Sequence, residues 1–274
     1  MLFSAEITDF KMVHNVLRSI AIKDFVIMRP MEEGLKLTLD EMRCVETSAY
    51  IPREMFTAYH VAQDKDVILK ICLKSLVDVL NLFGEDSSPN LKIMLSYKSD
   101  GSPLCIDMQE HDENITINCE LKTLTVDDPN DISLADECNL NKVVLNAHLF
   151  AELLNRLDNS ADELKVVLGP DPPYFTLSTT GIAHIFFKLL QGESEVSISK
   201  TSDSVTVYQC TEKTVSTYQF SNIKLILKVM AYADKVAVST GASGLLGLQL
   251  VVTSDDKQMY VEYYVTAQYM SDNT

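Results

Sequence analysis

Asp9-Phe-Lys-Met-Val-His-Asn-Val-Leu-Arg-Ser-Ile20 and Ala147-His-Leu-Phe-Ala-Glu-Leu-Leu-Asn-Arg-Leu157 are the stretches on which the reading of the fold turns. In the first, Phe10, Val13, Leu17 and Ile20 recur at spacings of three and four, the mark of a helix with one apolar face. Asp9 stands where an N-cap accepts backbone N–H bonds. In the second, Leu149, Leu153, Leu154 and Leu157 repeat the pattern. A short alternating segment precedes each helix, Leu2–Ile7 and Leu140–Leu145, and alternating strands follow it. Each half then has a second amphipathic helix. One begins near Lys74, with Leu73, Leu76, Val77, Leu80 and Phe83 apolar and Gly84 at a C-cap position. The other is capped by Ser221 and carries Ile223, Leu227 and Met230.

The chain thus reads as one α+β plan written twice, with residues 1–121 and 139–274 as two similar domains and 122–138 as the segment joining them. Its length of 274 residues suits two domains of ordinary size. The strands have antiparallel character. Cys44–Ile51 is stopped by Pro52, and Tyr174–Ser178, Ala183–Leu189 and Val196–Ser199 read as three separate strands. Many short strands and few helices imply two helices per domain laid on curved antiparallel sheets.

Composition bounds the function. Hydrophobic residues make up 46%, enough for a packed core in each half. No apolar run is long enough for a membrane helix, and the first residues lack the basic and apolar regions of a signal peptide. The expectation is an intracellular protein with no membrane partner. Cys44, Cys72, Cys105, Cys119, Cys138 and Cys210 form no C-x-x-C pair and read as small apolar residues. The five histidines, His14, His60, His111, His148 and His184, fall at no metal-ligand spacing. No metal site, cofactor or catalytic residue is expected.

The formal net charge of −16 would repel nucleic acid from the average surface, so the placement of the basic residues matters. The helices run against the mean. They carry Lys11, Arg18, Lys74, Arg156, Lys224 and Lys228, against Asp9, Asp78 and Glu152. Lys11, His14, Asn15 and Arg18 fall opposite the apolar stripe of the first helix, and Lys224 and Lys228 are four apart. Two readings stand: helices facing a polyanion, or the ordinary charged side of surface helices. The joining segment mixes Asp127, Asp128, Asp131, Asp136 and Glu137 with Leu124, Val126 and Ile132. It reads either as a strap over a peptide-binding groove or as a tether. Gly241–Gly247 looks like a phosphate loop but precedes a strand, so a hairpin connection is expected. A metal-dependent 3′–5′ DNA exonuclease would need carboxylates at D-x-E-type spacing on strand ends. Here the acids cluster in loops, including Asp255 and Asp256.

Four segments carry a family resemblance: Arg43-Cys-Val-Glu-Thr-Ser-Ala-Tyr-Ile51, Leu76-Val-Asp-Val-Leu-Asn-Leu-Phe-Gly84, Pro170-Asp-Pro-Pro-Tyr-Phe-Thr-Leu-Ser-Thr-Thr-Gly181 and Val261-Glu-Tyr-Tyr264. With the element order, they make the chain similar to sliding clamps of the proliferating-cell-nuclear-antigen type. More specifically, it resembles the Rad-one subunits of the DNA-damage checkpoint clamp, the nine-one-one complex. The resemblance implies a non-enzymatic, nuclear subunit of a heterotrimeric ring with Rad-nine-like and Hus-one-like neighbours. A replication-factor-C-type clamp loader would place that ring around double-stranded DNA without sequence specificity, where it would recruit checkpoint and repair proteins. It makes Lys11, Arg18, Lys74, Arg156, Lys224 and Lys228 DNA-facing, and places Met42, Val45, Leu124, Val126 and Tyr264 around a partner-peptide groove. A homotrimeric replication clamp is the alternative within the same fold.

Overall fold

The computed structural model describes every residue except 8–9, 42–43, 64, 84–90, 111–114, 127–133, 135–139, 186–187, 255 and 269–274, with backbone alone for 40–41, 181–185 and 188–192. The first repeat runs β1 (Phe3–Ile7), α1 (Phe10–Ile20), β2 (Phe25–Met31), β3 (Gly34–Glu41), β4 (Val45–Pro52), a 3-10 turn at Arg53–Met55, β5 (Phe56–Val61), β6 (Leu69–Cys72), α2 (Leu73–Leu80), β7 (Leu91–Tyr97), β8 (Leu104–Glu110) and β9 (Ile115–Leu121). The second runs β10 (Asn141–Asn146), α3 (Ala147–Arg156), β11 (Glu163–Leu168), β12 (Phe175–Ile185), β13 (Lys188–Ile198), β14 (Val205–Gln209), β15 (Thr214–Gln219), α4 (Phe220–Lys224), α5 (Leu227–Met230), β16 (Lys235–Thr240), β17 (Leu246–Ser254) and β18 (Lys257–Val265). The class is α+β, with antiparallel sheets.

Strand order makes the duplication explicit. The first repeat pairs β5-β1-β7-β8-β9 and β6-β2-β3-β4; the second pairs β14-β10-β16-β17-β18 and β15-β11-β12-β13. Every strand has its counterpart at the same place in chain order. Two compact units result. The first holds Met1–Glu41, Thr47–Asn130 and Thr253–Val261, and the second Met42–Glu46, Asp131–Val252 and Glu262–Thr274.

Burial follows the pleat. In β1 the pattern alternates, with Phe3, Ala5 and Ile7 inside, and β8 buries Leu104, Ile106 and Met108 in the same way. α1 closes this core with Val13, Val16, Leu17 and Ile20 and packs on α2, which contributes Leu73, Leu76 and Leu80. The second unit is built alike: Phe150, Leu153 and Leu154 of α3 pack inward, and the Phe150 and Phe175 rings stack at 6.2 Å. Asn146 caps α3 by accepting the Leu149 N–H at 3.1 Å.

One tie recurs in both repeats. The Tyr59 hydroxyl of β5 donates to the Gly34 carbonyl at 2.7 Å, and the Tyr208 hydroxyl of β14 donates to the Gly169 carbonyl at 2.6 Å. Each glycine lies at the hairpin between the second and third strands of its repeat, so each tyrosine binds an edge strand to the neighbouring sheet. At Gly34, φ is +154° and a Cβ would collide with the Ile51 carbonyl and Pro52 Cα, so only glycine fits.

Four details depart from the sequence reading. Ala183–Leu189 is not one strand. Ile185 pairs with Lys188 and His184 with Leu189, so β12 and β13 are two long arms of a hairpin. The sequence Ile185-Phe-Phe-Lys188 has no glycine, proline or asparagine to mark the reversal, whereas Gly181 and Gly192, which do suggest turns, stand opposite each other within the arms. β5 escapes a periodicity argument, because Thr57, Ala58 and His60 are exposed and leave little alternation at this sheet edge. Ser221 lies inside α4, whose N-cap is Gln219 without a side-chain cap bond. His14 is buried, its ring 5.7 Å from that of Phe10, and does not belong to the polar face of α1. Asp9, Gly84 and Cys138 lie outside the described residues, and the five other cysteines are free.

Removing either tyrosine hydroxyl leaves a carbonyl without its donor. Tyr59→Phe or Tyr208→Phe is expected to lower stability in urea by about 1 kcal/mol. Burial pushes the Tyr208 and Tyr218 hydroxyls up to about 12. Because these folded values exceed the unfolded value near ~10, their contribution is intact below that pH and is lost as pH rises toward about 12. The melting temperature should therefore fall over this window, and fall less in Tyr218→Phe.

Candidate nucleic-acid and partner interfaces

The helices position the candidate cations unequally. On α1, Lys11 and Arg18 are the exposed positions, two turns apart and so on one side of the helix. On α2, Lys74 is exposed one turn before the exposed Asp78. On α3, Arg156 meets Glu152 at 3.5 Å, with both side chains about two-thirds exposed (66% and 64%). Such a pair contributes little to stability, but it cancels the local charge that Arg156 would offer a phosphate.

The fourth helix is not continuous. Leu225 and Ile226 bond back three residues, to the Asn222 and Ile223 carbonyls at 3.4 and 3.2 Å, and separate α4 from α5. This tighter winding of about three residues per turn breaks the regular helical spacing that would put Lys224 and Lys228 on one face. Lys224 is also engaged. Its Nζ donates to the Asn159 carbonyl at 2.9 Å and lies 4.1 Å from the Phe220 ring centroid. Asp158 stands close by. Its carboxylate accepts the Ser160 hydroxyl at 2.7 Å and N–H at 2.9 Å, which lowers its pKa, with Lys224 adding a smaller lowering. Lys228 is exposed and makes no ion pair among the described residues. The two lysines that sequence spacing puts together therefore have different roles: Lys224 ties α4 to the loop after α3, and Lys228 faces solvent.

The candidate groove residues divide between the units. Leu124, 47% exposed, extends the edge of β6 in the first unit by donating its N–H to the Lys70 carbonyl at 2.8 Å. Val126 is half-buried in the same unit. In the second unit Val45 is buried, and Tyr264 lines a groove of about 400 Å³. Met42 lies outside the described residues. The joining-segment residue that reaches this groove is Leu134, which the sequence reading does not single out. Leu134 is only 6% exposed and lines the groove with Leu140, Gly247, Leu248 and Tyr264. Gly247 makes the room: a Cβ there would stand 2.6 Å from Leu134 Cδ1 and 3.2 Å from the Tyr264 ring. At the polar side, Gln249 Nε2 donates to Glu262 Oε1 at 3.2 Å. The signal available in the sequence is one leucine among acids, too little to mark it out.

Among the described residues, no three His, Cys, Asp or Glu side chains come together as metal ligands, and no helix is long and apolar enough to cross a membrane. β9 and β13 close their sheets with one side unpaired among the described residues.

The chain is similar to known proteins over most of its length. Residues 2–252 match the family model described as repair protein Rad1/Rec1/Rad17. The chain is 28% identical over 263 residues to the mouse cell cycle checkpoint protein RAD1, covering 95% of this chain and 90% of the mouse protein. It is 27% identical over 267 residues to the Drosophila melanogaster DNA repair protein Rad1, covering 96% and 93%. Among solved structures, a chain of the PCNA2–PCNA3 complex from Sulfolobus tokodaii superposes with a TM-score of 0.70 at 15% identity, covering 97% of this chain and 99% of that one.

Gly247→Val fills the seat of Leu134. Amide exchange at Leu134 should then quicken by about tenfold or more while the β16–β17 ladder stays protected. Unchanged protection at Leu134 would mean that the joining segment does not depend on this contact.

Proposed function

We propose that this chain, which belongs to the Rad1 family of repair proteins, serves as one subunit of a DNA-damage checkpoint clamp, a ring that encloses double-stranded DNA and carries no reaction of its own. The observation that supports this best is the duplicated strand plan and the two edges it leaves open. Within the first unit, β4 has as its neighbour the Lys257–Val261 part of β18. In the repeat, β4 corresponds to β13 and β18 to β9, and both counterparts lack an outer neighbour among the described residues. A subunit of the same plan on either side supplies the missing strands, and head-to-tail joins of this kind close into rings. Rad-nine-like and Hus-one-like subunits fit the two positions, and a replication-factor-C-type loader fits the need to open such a ring. The checkpoint and repair names of the mouse and fly relatives support a nuclear site of action.

In this reading Lys11, Arg18, Lys74 and Lys228 meet DNA phosphates, while Arg156 and Lys224 contribute less because Glu152 and the Asn159 carbonyl already engage them. Phosphate contacts of this kind carry no sequence preference. Enclosure retains the ring even where few contacts are made, which suits a chain of net charge −16. The groove at Leu134, Leu140 and Tyr264 accepts a short apolar segment of a recruited repair or checkpoint protein.

Co-expression with Rad-nine-like and Hus-one-like subunits should give an equimolar three-subunit complex by size-exclusion chromatography with light scattering. A stable homotrimer of this chain alone would overturn the mixed-ring reading. On loaded rings, Lys228→Glu should weaken DNA retention and lower the salt slope by about 0.9 for each phosphate no longer neutralised. Lys224→Glu should instead act mainly on the stability of the second unit. Equal salt slopes in wild type and a Lys11→Glu/Arg18→Glu/Lys228→Glu variant would remove these residues from the DNA-facing surface.

A further inference from the structure

A second groove, of about 420 Å³, lies along β5 within the first unit. The β2–β3 turn at Met31 and Glu32 forms one side and Tyr59 to Ala62 the other, with Arg53 and Asp66 also lining it. β5 ends its sheet, and its register shows which backbone groups are open. The Ala62 N–H donates to the Leu2 carbonyl at 2.9 Å, and His60 lies opposite Ser4. Antiparallel alternation therefore turns the peptide groups of Ala62 and His60 toward β1 and those of Tyr59 and Val61 away from it. Neither of the latter pairs has a backbone partner among the described residues. Such an edge is a template for an added strand.

The charges around the groove specify the strand. Asp66 is already held by Arg29, with Nη2–Oδ2 at 2.6 Å and Nε–Oδ1 at 3.3 Å, and Lys65 stands 3.5 Å from Asp100. Glu32, Glu33 and Glu54 remain against Arg53, with no ion pair for any of them among the described residues. Glu33 and Glu54 act on this neighbourhood: after burial, they are the causes that raise the Tyr50 pKa. The local surplus is acidic, in a chain whose net charge already attracts cations. The apolar part of the lining, Pro30, Met31 and Val61, suits the aliphatic stem of a lysine or arginine whose charged end reaches Glu32.

We propose that the open edge of β5 docks an extended basic segment of a partner protein, which adds as a further strand and lays a lysine or arginine side chain in the groove toward Glu32. This site uses neither β9 and β13, nor the helix faces, nor the groove at Tyr264, so it stands or falls separately from the clamp reading.

The test titrates the full-length chain with a fluorescein-labelled peptide of alternating lysine and valine, using its glutamate–valine counterpart as control and amide NMR as the site readout. The lysine peptide should bind with an affinity that falls as salt rises, and should shift and protect the Tyr59 and Val61 amides. The glutamate peptide should not bind. Glu32→Lys/Glu33→Lys should weaken binding by about tenfold or more. Val61→Pro removes an outward N–H at a sheet edge where proline is tolerated. It should weaken binding as well, with an unchanged circular-dichroism spectrum confirming its fold. Full binding to a folded Val61→Pro, amide shifts elsewhere than β5, or preference for the glutamate peptide would each overturn the proposal. Because the wild-type amide shifts are read directly, the result does not rest on the proline variant.

Discussion

A strand at the edge of a sheet carries backbone donors and acceptors that its own sheet cannot satisfy, and this demand organises the molecule. Each repeat builds its two sheets in one order, so each generates the same set of edges. Within the first unit the edge of β4 is met by the Lys257–Val261 part of β18. The edge of β6 is met at one point by Leu124 from the joining segment. β9, β13, β5 and β14 remain open among the described residues, and the first three openings underlie the readings of ring partners and of a basic docking segment. In antiparallel sheets such edges are normally covered, charged or paired, and the placement of Glu193 and Glu195 on β13 and Glu120 on β9 accords with protection until a partner arrives.

The second organising element is charge held against the mean. An acidic chain excludes adventitious anions from most of its surface, so a few cations on helix faces can act where geometry brings them near phosphate. The structure divides these cations by what already engages them. Lys224 bridges to a backbone carbonyl and an aromatic ring, Arg156 to a carboxylate, and Lys11, Lys74 and Lys228 to no carboxylate among the described residues. Charge counted along the sequence treats all of these as equal. Their different engagements arise from loop and ring neighbours distant in sequence, and no periodicity encodes those.

The duplication has diverged around a common tie. Tyr59 and Tyr208 each hold a hairpin glycine carbonyl from an edge strand, yet their surroundings differ. Tyr59 packs against Phe3 and Phe56, whereas Tyr208 meets Tyr174, over whose ring Lys200 lies at 4.7 Å. Thus Tyr174 of the Pro170–Gly181 family segment packs on the tyrosine that makes the second repeat's tie. Half-buried hydroxyls in both repeats bind carbonyls because a carbonyl without a donor in a packed region is costly.

Amphipathic spacing located the helical segments of each repeat, because burial of one face imposes periods of 3.6 and 2 on any sequence that folds this way. The family segments then pointed to a clamp, as the match over residues 2–252 bears out. Three features required the tertiary structure: the long β12–β13 hairpin, the broken fourth helix, and the seat of Leu134 against Gly247 and Tyr264. The first hides because an apolar run without a turn residue spans its reversal while glycines lie within its arms, and the second comes from backbone bonds that slip from four residues to three. The third depends on an absent side chain at Gly247 that makes room for a leucine more than a hundred residues earlier in the chain. A sequence displays its periods locally, whereas contacts across such separations exist only after the chain has packed.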